Sequence, residues 1–109
     1  MEKISYNFKN RTAIVTGGAQ GFGLDIAKRF LKSEAKVIIW DLDPKAIEKA
    51  TKEMNNSNLS SKIVDVSNFK DVENATKEII KNSNIDILIN NAGITGPTAP
   101  LWEYDIEMW

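Results

Sequence analysis

The chain has 109 residues, of which 42% are hydrophobic and 27% are charged, and its 15 acidic and 14 basic residues give a net charge of −1. This balance argues against a nucleic-acid or anionic-membrane surface. The sequence contains no cysteine and no histidine, which excludes disulfides, thiolate zinc sites and a histidine general base. The length allows one domain with a sizeable core.

A strand, a glycine-rich turn and a helix are predicted in the first third of the chain. The apolar, partly β-branched run at about 12–16 is typical of a buried strand. Apolar residues then recur on one face of a helix over about 22–33. The glycines between 17 and 23 join the two elements.

A second strand and helix follow directly. The run at 36–40 has the composition of a strand and ends in Asp41. Asp43 is predicted to cap the next helix and Pro44 to lie in its first turn, where its missing N–H costs nothing. This helix is expected over about 44–54, and the Asn- and Ser-rich residues 55–61 are predicted to form a loop.

Two further strands flank a third helix. The third strand is predicted at 62–66, and Ser67 or Asn68 can cap the helix after it, which runs to about 80. The apolar face of this helix is predicted to consist of Phe69, Val72, Ala75, Ile79 and Ile80. The fourth strand is predicted at 85–89, and the last sixteen residues begin as a loop, with one more helix starting near 105.

The alternation of strands and helices predicts an α/β fold. Helices on both faces of a parallel sheet explain the nearly continuous apolar strands. Right-handed crossovers give a doubly wound, Rossmann-type sheet with strand order 3-2-1-4, and ligands bind such a sheet beyond the carboxyl ends of its strands. We expect residues 1–109 to form one such half-domain.

The glycine-rich turn is a candidate seat for a pyrophosphate. Unpaired N–H groups and the positive dipole end at a helix start favour an anion, and glycines let it approach the backbone closely. The alternative is a tight connection whose glycines serve only the turn.

Asp41 is a candidate ribose ligand, since it lies eighteen residues beyond Gly23 at the end of the second strand. A carboxylate there accepts hydrogen bonds from the 2′- and 3′-hydroxyls and repels a 2′-phosphate. Gln20 adds no positive charge to the turn, so NAD is expected in preference to NADP, although Lys45 is a nearby cation. The alternative role for Asp41 is to cap the following helix.

Two motifs resemble those of the short-chain dehydrogenase/reductase family. Thr16 with Gly17-x-x-x-Gly21-x-Gly23 resembles the family's T-G-x-x-x-G-[IF]-G turn, and the sequence at 90–93 resembles its N-N-A-G motif. The resemblance covers about residues 8–109. It implies an NAD-binding domain of an oxidoreductase that transfers hydride between NAD and an alcohol or carbonyl substrate.

The resemblance also implies the cofactor-facing residues. The Asp65-Val66 pair is expected beside the adenine, with the carboxylate accepting from the exocyclic amine, and Asn90 is expected to brace neighbouring strand ends. The predicted cofactor-binding residues are Gly17, Gln20, Gly21, Phe22, Gly23, Asp41, Leu42, Asp65, Val66, Asn91, Ala92 and Gly93.

No catalytic residue of the family matches a position in this chain. Its members use a Ser and a Tyr-x-x-x-Lys pair, whereas Tyr6 is followed four residues later by Asn10, and Tyr104 by Met108. We therefore expect a truncated protein that lacks the catalytic half and cannot transfer hydride alone. The choice between a substrate like those of sugar dehydrogenases and one like those of 3-oxoacyl-carrier-protein reductases stays open. The alternatives are a non-catalytic nucleotide-binding or assembly module, and a site completed by a second polypeptide.

The expected environment and partners follow from the same features. The start of the chain lacks the apolar segment of a secretory signal and no apolar run could span a bilayer, so a cytoplasmic location is expected. An exposed sheet edge at the fourth strand and unpaired helix faces favour self-association.

Overall fold

The computed structural model describes residues 8–91, which form four parallel strands and three helices. In chain order these are β1 (Thr12–Thr16), α1 (Gly21–Lys32), β2 (Lys36–Asp41), α2 (Pro44–Met54), β3 (Leu59–Ile63), α3 (Phe69–Ile80) and β4 (Ile87–Asn90). The strand order is β3-β2-β1-β4, which confirms the predicted doubly wound topology.

Two apolar layers cover the two faces of the sheet. On one face α1 and α2 pack against alternate residues of β1 and β2, including Val15, Val37 and Ile39. On the other face Ile14 and Trp40 pack with Ala75 of α3. Because β1 is an inner strand covered on both faces, all five of its residues are buried, and the three between its terminal threonines are apolar.

Trp40 is one of the largest buried side chains, and its indole N–H has no acceptor among residues 8–91. An unpaired buried donor costs about 1–3 kcal/mol. Burial of a Trp side chain removes roughly 150–250 Å² from water, which stabilises the fold by about 4–6 kcal/mol at the usual 25 cal/mol per Å². The apolar gain exceeds the cost, so the tryptophan is tolerated there.

The predicted position of the third strand is wrong by about three residues. β3 runs from Leu59 to Ile63, so the last three residues of the predicted 55–61 loop belong to the strand, and 55–58 form the connection. β3 is an edge strand, and its register against β2 pairs Leu59 with Val37. Val64 follows the strand, is buried in the α3 layer, and donates its N–H to the Asp41 carbonyl at 3.2 Å. The apolar residues near 64 therefore reflect packing beyond the strand end.

The other elements differ from prediction mainly at their ends. Asp43 caps α2 as predicted, since its Oδ1 accepts from the N–H groups of Lys45 and Ala46. Asn68, not Ser67, caps α3 by accepting from the Asp71 N–H. β4 begins at Ile87 instead of residue 85, and its pairing with β1 starts at Ala13. Just before it, Asp86 donates its N–H to the Thr12 carbonyl and accepts from the Thr12 N–H through Oδ2.

The predicted apolar face of α3 is buried only in part. Ala75 is buried, and Val72 and Ile79 pack at the edge of the same layer. Phe69 and Ile80, however, are 76% and 56% exposed. They lie at the two ends of the helix, beyond the part that the sheet covers.

Candidate nucleotide-binding site

The turn between β1 and α1 leaves the first two residues of α1, Gly21 and Phe22, exposed in the described part of the chain. Gln20 precedes the helix in extended conformation, and within residues 8–91 no side chain caps the helix start. The first turn of α1 also contains no acidic residue. Its N–H groups and positive dipole end are therefore suited to an anion.

Two glycines show how the turn is shaped. Gly21 has φ +57°, which favours glycine, and no atom of the described residues lies within 4 Å of a Cβ built there. A Cβ on Gly23 would lie 2.3 Å from the Gly17 carbonyl oxygen and 2.7 Å from Asn91 Nδ2. Within residues 8–91, space is therefore open at Gly21, whereas at Gly23 the helix contacts the turn too closely for any side chain.

Asp41 lies at the end of β2 and contacts this turn. The residue is 7% exposed, its Oδ2 accepts from the Ala19 N–H at 3.2 Å, and its Oδ1 accepts from the Asp43 N–H at 3.1 Å. The Gly17 N–H donates to the neighbouring Trp40 carbonyl at 2.6 Å. Because a carboxylate has about four acceptor positions, these two bonds leave capacity for ribose hydroxyls. α2 itself is capped by Asp43, not by Asp41.

Three predicted site residues around the turn project toward solvent. Phe22 in the first turn of α1 is 65% exposed, and Leu42 after β2 is 60% exposed. Gln20 is also exposed. An exposed large apolar side chain next to a polar turn is a feature of ligand sites, since burial by the ligand is then favourable.

Asp65 lies in the loop between β3 and α3 and not at a strand end as predicted. Its Oδ1 accepts from the Ser67 N–H at 2.9 Å and from the Ser67 hydroxyl at 2.6 Å. The bond from the Ser67 hydroxyl, and to a smaller extent the bond from its backbone N–H, lower the pKa of Asp65 below its ordinary value. Val66 is half-buried against the α3 layer.

The end of β4 is joined to the end of β1 through Thr16. Its hydroxyl accepts from the Asn91 N–H at 2.8 Å and lies 3.3 Å from Asn90 Oδ1, while Asn91 Nδ2 donates to the Gly17 carbonyl at 3.3 Å. Asn91 thus braces the glycine turn, a contact that the sequence did not predict. Ala92 and Gly93 lie outside the described residues.

The structure therefore places Asp41 and Asn91 against the glycine turn at one edge of the sheet, with Leu42 directly after β2 and with Asp65 and Val66 in the loop after β3. Two participants were not predicted as site residues, namely the Thr16 hydroxyl and the Ala19 N–H. A polar residue closing an apolar strand is the signal that could have identified Thr16.

Other features of the described part of the chain do not compete with this edge. A cleft of about 780 Å³ lies near the C-terminal ends of α1 and α2, lined by charged residues such as Arg29, Lys32 and Glu53. In residues 8–91 no three His, Cys, Asp or Glu side chains are grouped so as to hold a metal ion. No helix in that range is long and apolar enough to cross a bilayer.

Comparison with known proteins agrees with this geometry. The family described as short chain dehydrogenase matches residues 11–109. The 2-dehydro-3-deoxy-L-rhamnonate dehydrogenase (NAD(+)) of Sphingomonas sp. (strain SKA58) is 35% identical over 108 residues, which cover 98% of this chain and 43% of that protein. The 3-oxoacyl-[acyl-carrier-protein] reductase FabG of Chlamydia trachomatis is 40% identical over 90 residues, covering 79% of this chain and 36% of that protein.

A solved structure shares the fold and is named for a cofactor complex. The Pseudomonas aeruginosa RhlG/NADP active-site complex superposes with a TM-score of 0.75 at 28% identity, over 87% of this chain and 38% of that one. The present chain spans only about two-fifths of the length of the two curated relatives named above, 43% and 36% respectively. From its sequence and its fold, the chain belongs to the short-chain dehydrogenase/reductase family and forms its nucleotide-binding, Rossmann-type part.

Proposed function

We propose that this chain binds the adenosine and pyrophosphate portion of NAD at the carboxyl edge of the sheet. The observation that supports this most directly is the uncapped start of α1 beside the buried Asp41 carboxylate. Gly21 offers open space and backbone N–H groups to the pyrophosphate, and Asp41 offers acceptor oxygens to the ribose. When bound, a nicotinamide cofactor supplies the hydride acceptor or donor of an oxidoreductase.

The remaining predicted residues surround the adenosine in this proposal. We expect Leu42 and Val66 to contact the adenine, and Oδ2 of Asp65, the oxygen that does not bond Ser67, to accept from its exocyclic amine. We expect the backbone to pass close to the ribose at Asn91, Ala92 and Gly93. The pyrophosphate is expected to lie beside Gln20 and Phe22.

NAD is the proposed cofactor in preference to NADP. A 2′-phosphate would approach the Asp41 carboxylate at short range, where two like charges repel strongly in a partly buried site. Gln20 contributes no compensating charge. One relative carries NAD(+) in its name and one solved neighbour is an NADP complex, so both cofactors occur among proteins similar to this chain.

The reaction of the complete enzyme is proposed at the level of the family. It transfers hydride between NAD and an alcohol or carbonyl compound, with the sugar-acid and acyl-carrier-protein substrates named for two relatives as candidate classes. The acid/base and substrate-binding groups are proposed to lie outside these 109 residues, so this chain alone binds cofactor without turning over. A nucleotide-binding or assembly module without catalysis is the alternative.

The cofactor preference is tested with Asp41→Asn, which removes the charge and keeps the shape. We expect NAD to bind at least about tenfold more weakly to this variant, because a hydrogen bond to a charged acceptor contributes about 1.5–3 kcal/mol. NADP should bind equally well or better. Isothermal titration with NAD, NADP and AMP measures both effects.

Asp43→Asn is the matched control, because it makes the same charge change two residues away, at the cap of α2. Its ratio of NAD to NADP affinity should equal that of the parent chain. An unchanged ratio in Asp41→Asn would contradict the ribose assignment.

A further inference from the structure

The Asp41 carboxylate binds two backbone N–H groups, one on each oxygen. One oxygen accepts from the Ala19 N–H in the middle of the glycine turn, and the other accepts from the Asp43 N–H in front of α2. Asp41 and Ala19 are both buried, although 22 positions separate them in the chain. Two backbone donors on opposite oxygens fix the orientation of the carboxylate.

The turn depends on β2 for its position. The Trp40 carbonyl accepts from the Gly17 N–H, and the adjacent Asp41 side chain accepts from the Ala19 N–H. α1 begins only two residues beyond Ala19, at Gly21. A buried N–H without an acceptor is unfavourable, so loss of the carboxylate would shift the turn immediately before the proposed phosphate-binding N–H groups.

We propose that Asp41 is a positioning residue for the phosphate-binding turn in addition to its proposed role as ribose acceptor, and this inference rests on the proposed function. One carboxylate then couples two parts of the ligand. Any group that displaces the carboxylate from the ribose also releases the Ala19 N–H. The turn that binds the diphosphate then loses its position at the same time.

The competing explanation is that Asp41 only closes the local turn to Asp43. Such Asx-type turns are common where a strand joins a helix. In that case the Ala19 contact would be incidental, and removing the carboxylate would leave the glycine turn in place.

Amide hydrogen exchange separates these explanations without any ligand. In Asp41→Ala the exchange rate of the Ala19 amide should rise at least about tenfold relative to that of Val15 in β1, which reports opening of the whole sheet. Asp41→Leu, which is similar in shape and has no acceptor atom, should raise the same ratio if the alanine variant does not fold. The control Asp43→Asn should leave it unchanged. Ala19 exchange that follows Val15 in both Asp41 variants would overturn the proposal.

A second measurement separates positioning from ribose binding. ADP and 2′,3′-dideoxy-ADP share the diphosphate, but only ADP offers hydroxyls to Asp41. If Asp41 positions the turn, dideoxy-ADP should bind about threefold or more weakly to Asp41→Asn than to Asp43→Asn, although both lose one negative charge. If Asp41 also holds the ribose, the preference for ADP should fall toward one.

The positioning role and the ribose role of Asp41 can be contradicted independently of each other. Unchanged dideoxy-ADP binding together with a lost ADP preference would overturn the positioning role and leave the ribose role intact. Weaker dideoxy-ADP binding with an unchanged ADP preference would support positioning and contradict the ribose assignment.

Discussion

Replacing Gly23 by Ala tests whether close contact or helix propensity governs the start of α1. The new Cβ would lie 2.3 Å from the Gly17 carbonyl oxygen and 2.7 Å from Asn91 Nδ2. Since real Cβ contacts are essentially never shorter than 3.0 Å, the carbonyl must move by about 0.7 Å. That oxygen also accepts from Asn91 Nδ2, so the movement strains the brace between β1 and β4.

The two opposing effects differ in size. Alanine is favoured over glycine inside a helix by up to about 1 kcal/mol, whereas forcing a methyl group into a packed backbone contact costs about 1–3 kcal/mol, with loss of the Asn91 bond adding about 1 kcal/mol. We therefore expect Gly23→Ala to lower the free energy of unfolding by about 2 kcal/mol.

Urea unfolding followed by circular dichroism measures this loss. For a slope of about 1–3 kcal/mol per M, the midpoint should fall by roughly 1 M. Gly21→Ala is the comparison, because its methyl group meets open space and its penalty comes only from the positive φ. A Gly23→Ala variant as stable as the parent, or more stable, would refute the steric reasoning.

Two further predictions concern the surface of the domain. Ser67→Ala should return the pKa of Asp65 toward its ordinary value, as measured by carboxyl NMR titration; because the folded pKa is lowered, the stabilising contribution is present above the unfolded pKa and is lost as the pH falls through the folded one. A pKa unchanged in Ser67→Ala would show that the bond from the Ser67 hydroxyl does not set it. The chain should also self-associate through the β4 edge and the exposed Phe69 and Ile80, so that light scattering detects a dimer which Phe69→Asp weakens. A monodisperse monomer at high concentration would contradict this second expectation.

The first half of the fold could be predicted to within about one residue at most element ends, because its signals are local. β1 and β2 are apolar runs, and Asp43 followed by Pro44 defines the start of α2 through a cap that the structure contains. Burial on both faces, helix capping and glycine turns are all indicated by residues that are neighbours in the sequence. The order of strands and helices, and from it the topology, could therefore be predicted.

The third strand could not be located in the same way. Leu59–Ile63 contains two serines and a lysine, and its position is determined by hydrogen bonding to β2 rather than by its own composition. The apolar Val64 that suggested a strand packs against the opposite layer after the strand has ended. Edge strands carry a weak periodic signal because only part of their surface is covered.

For the site, the sequence indicated which residues gather at the sheet edge but not which atoms bond. The spacing of Asp41 from the glycines suggested a ribose ligand, and nothing in that spacing indicates a bond to the Ala19 N–H. The link between Asn91 and Gly17 spans 74 positions and depends on strand order. Such contacts follow from the assembled sheet and are not encoded in any local motif.

The contacts of Asn91 with Thr16 and Gly17 have a consequence for biosynthesis. The ribosome releases the glycine turn early, together with β2 and its supporting helices, but the amide that braces its carbonyl emerges some seventy-four codons later. Long-range pairing of this kind forms slowly. A nascent chain should therefore complete its nucleotide cradle only when β4 has left the exit tunnel and added to the sheet, so cofactor capture is expected to begin late in translation.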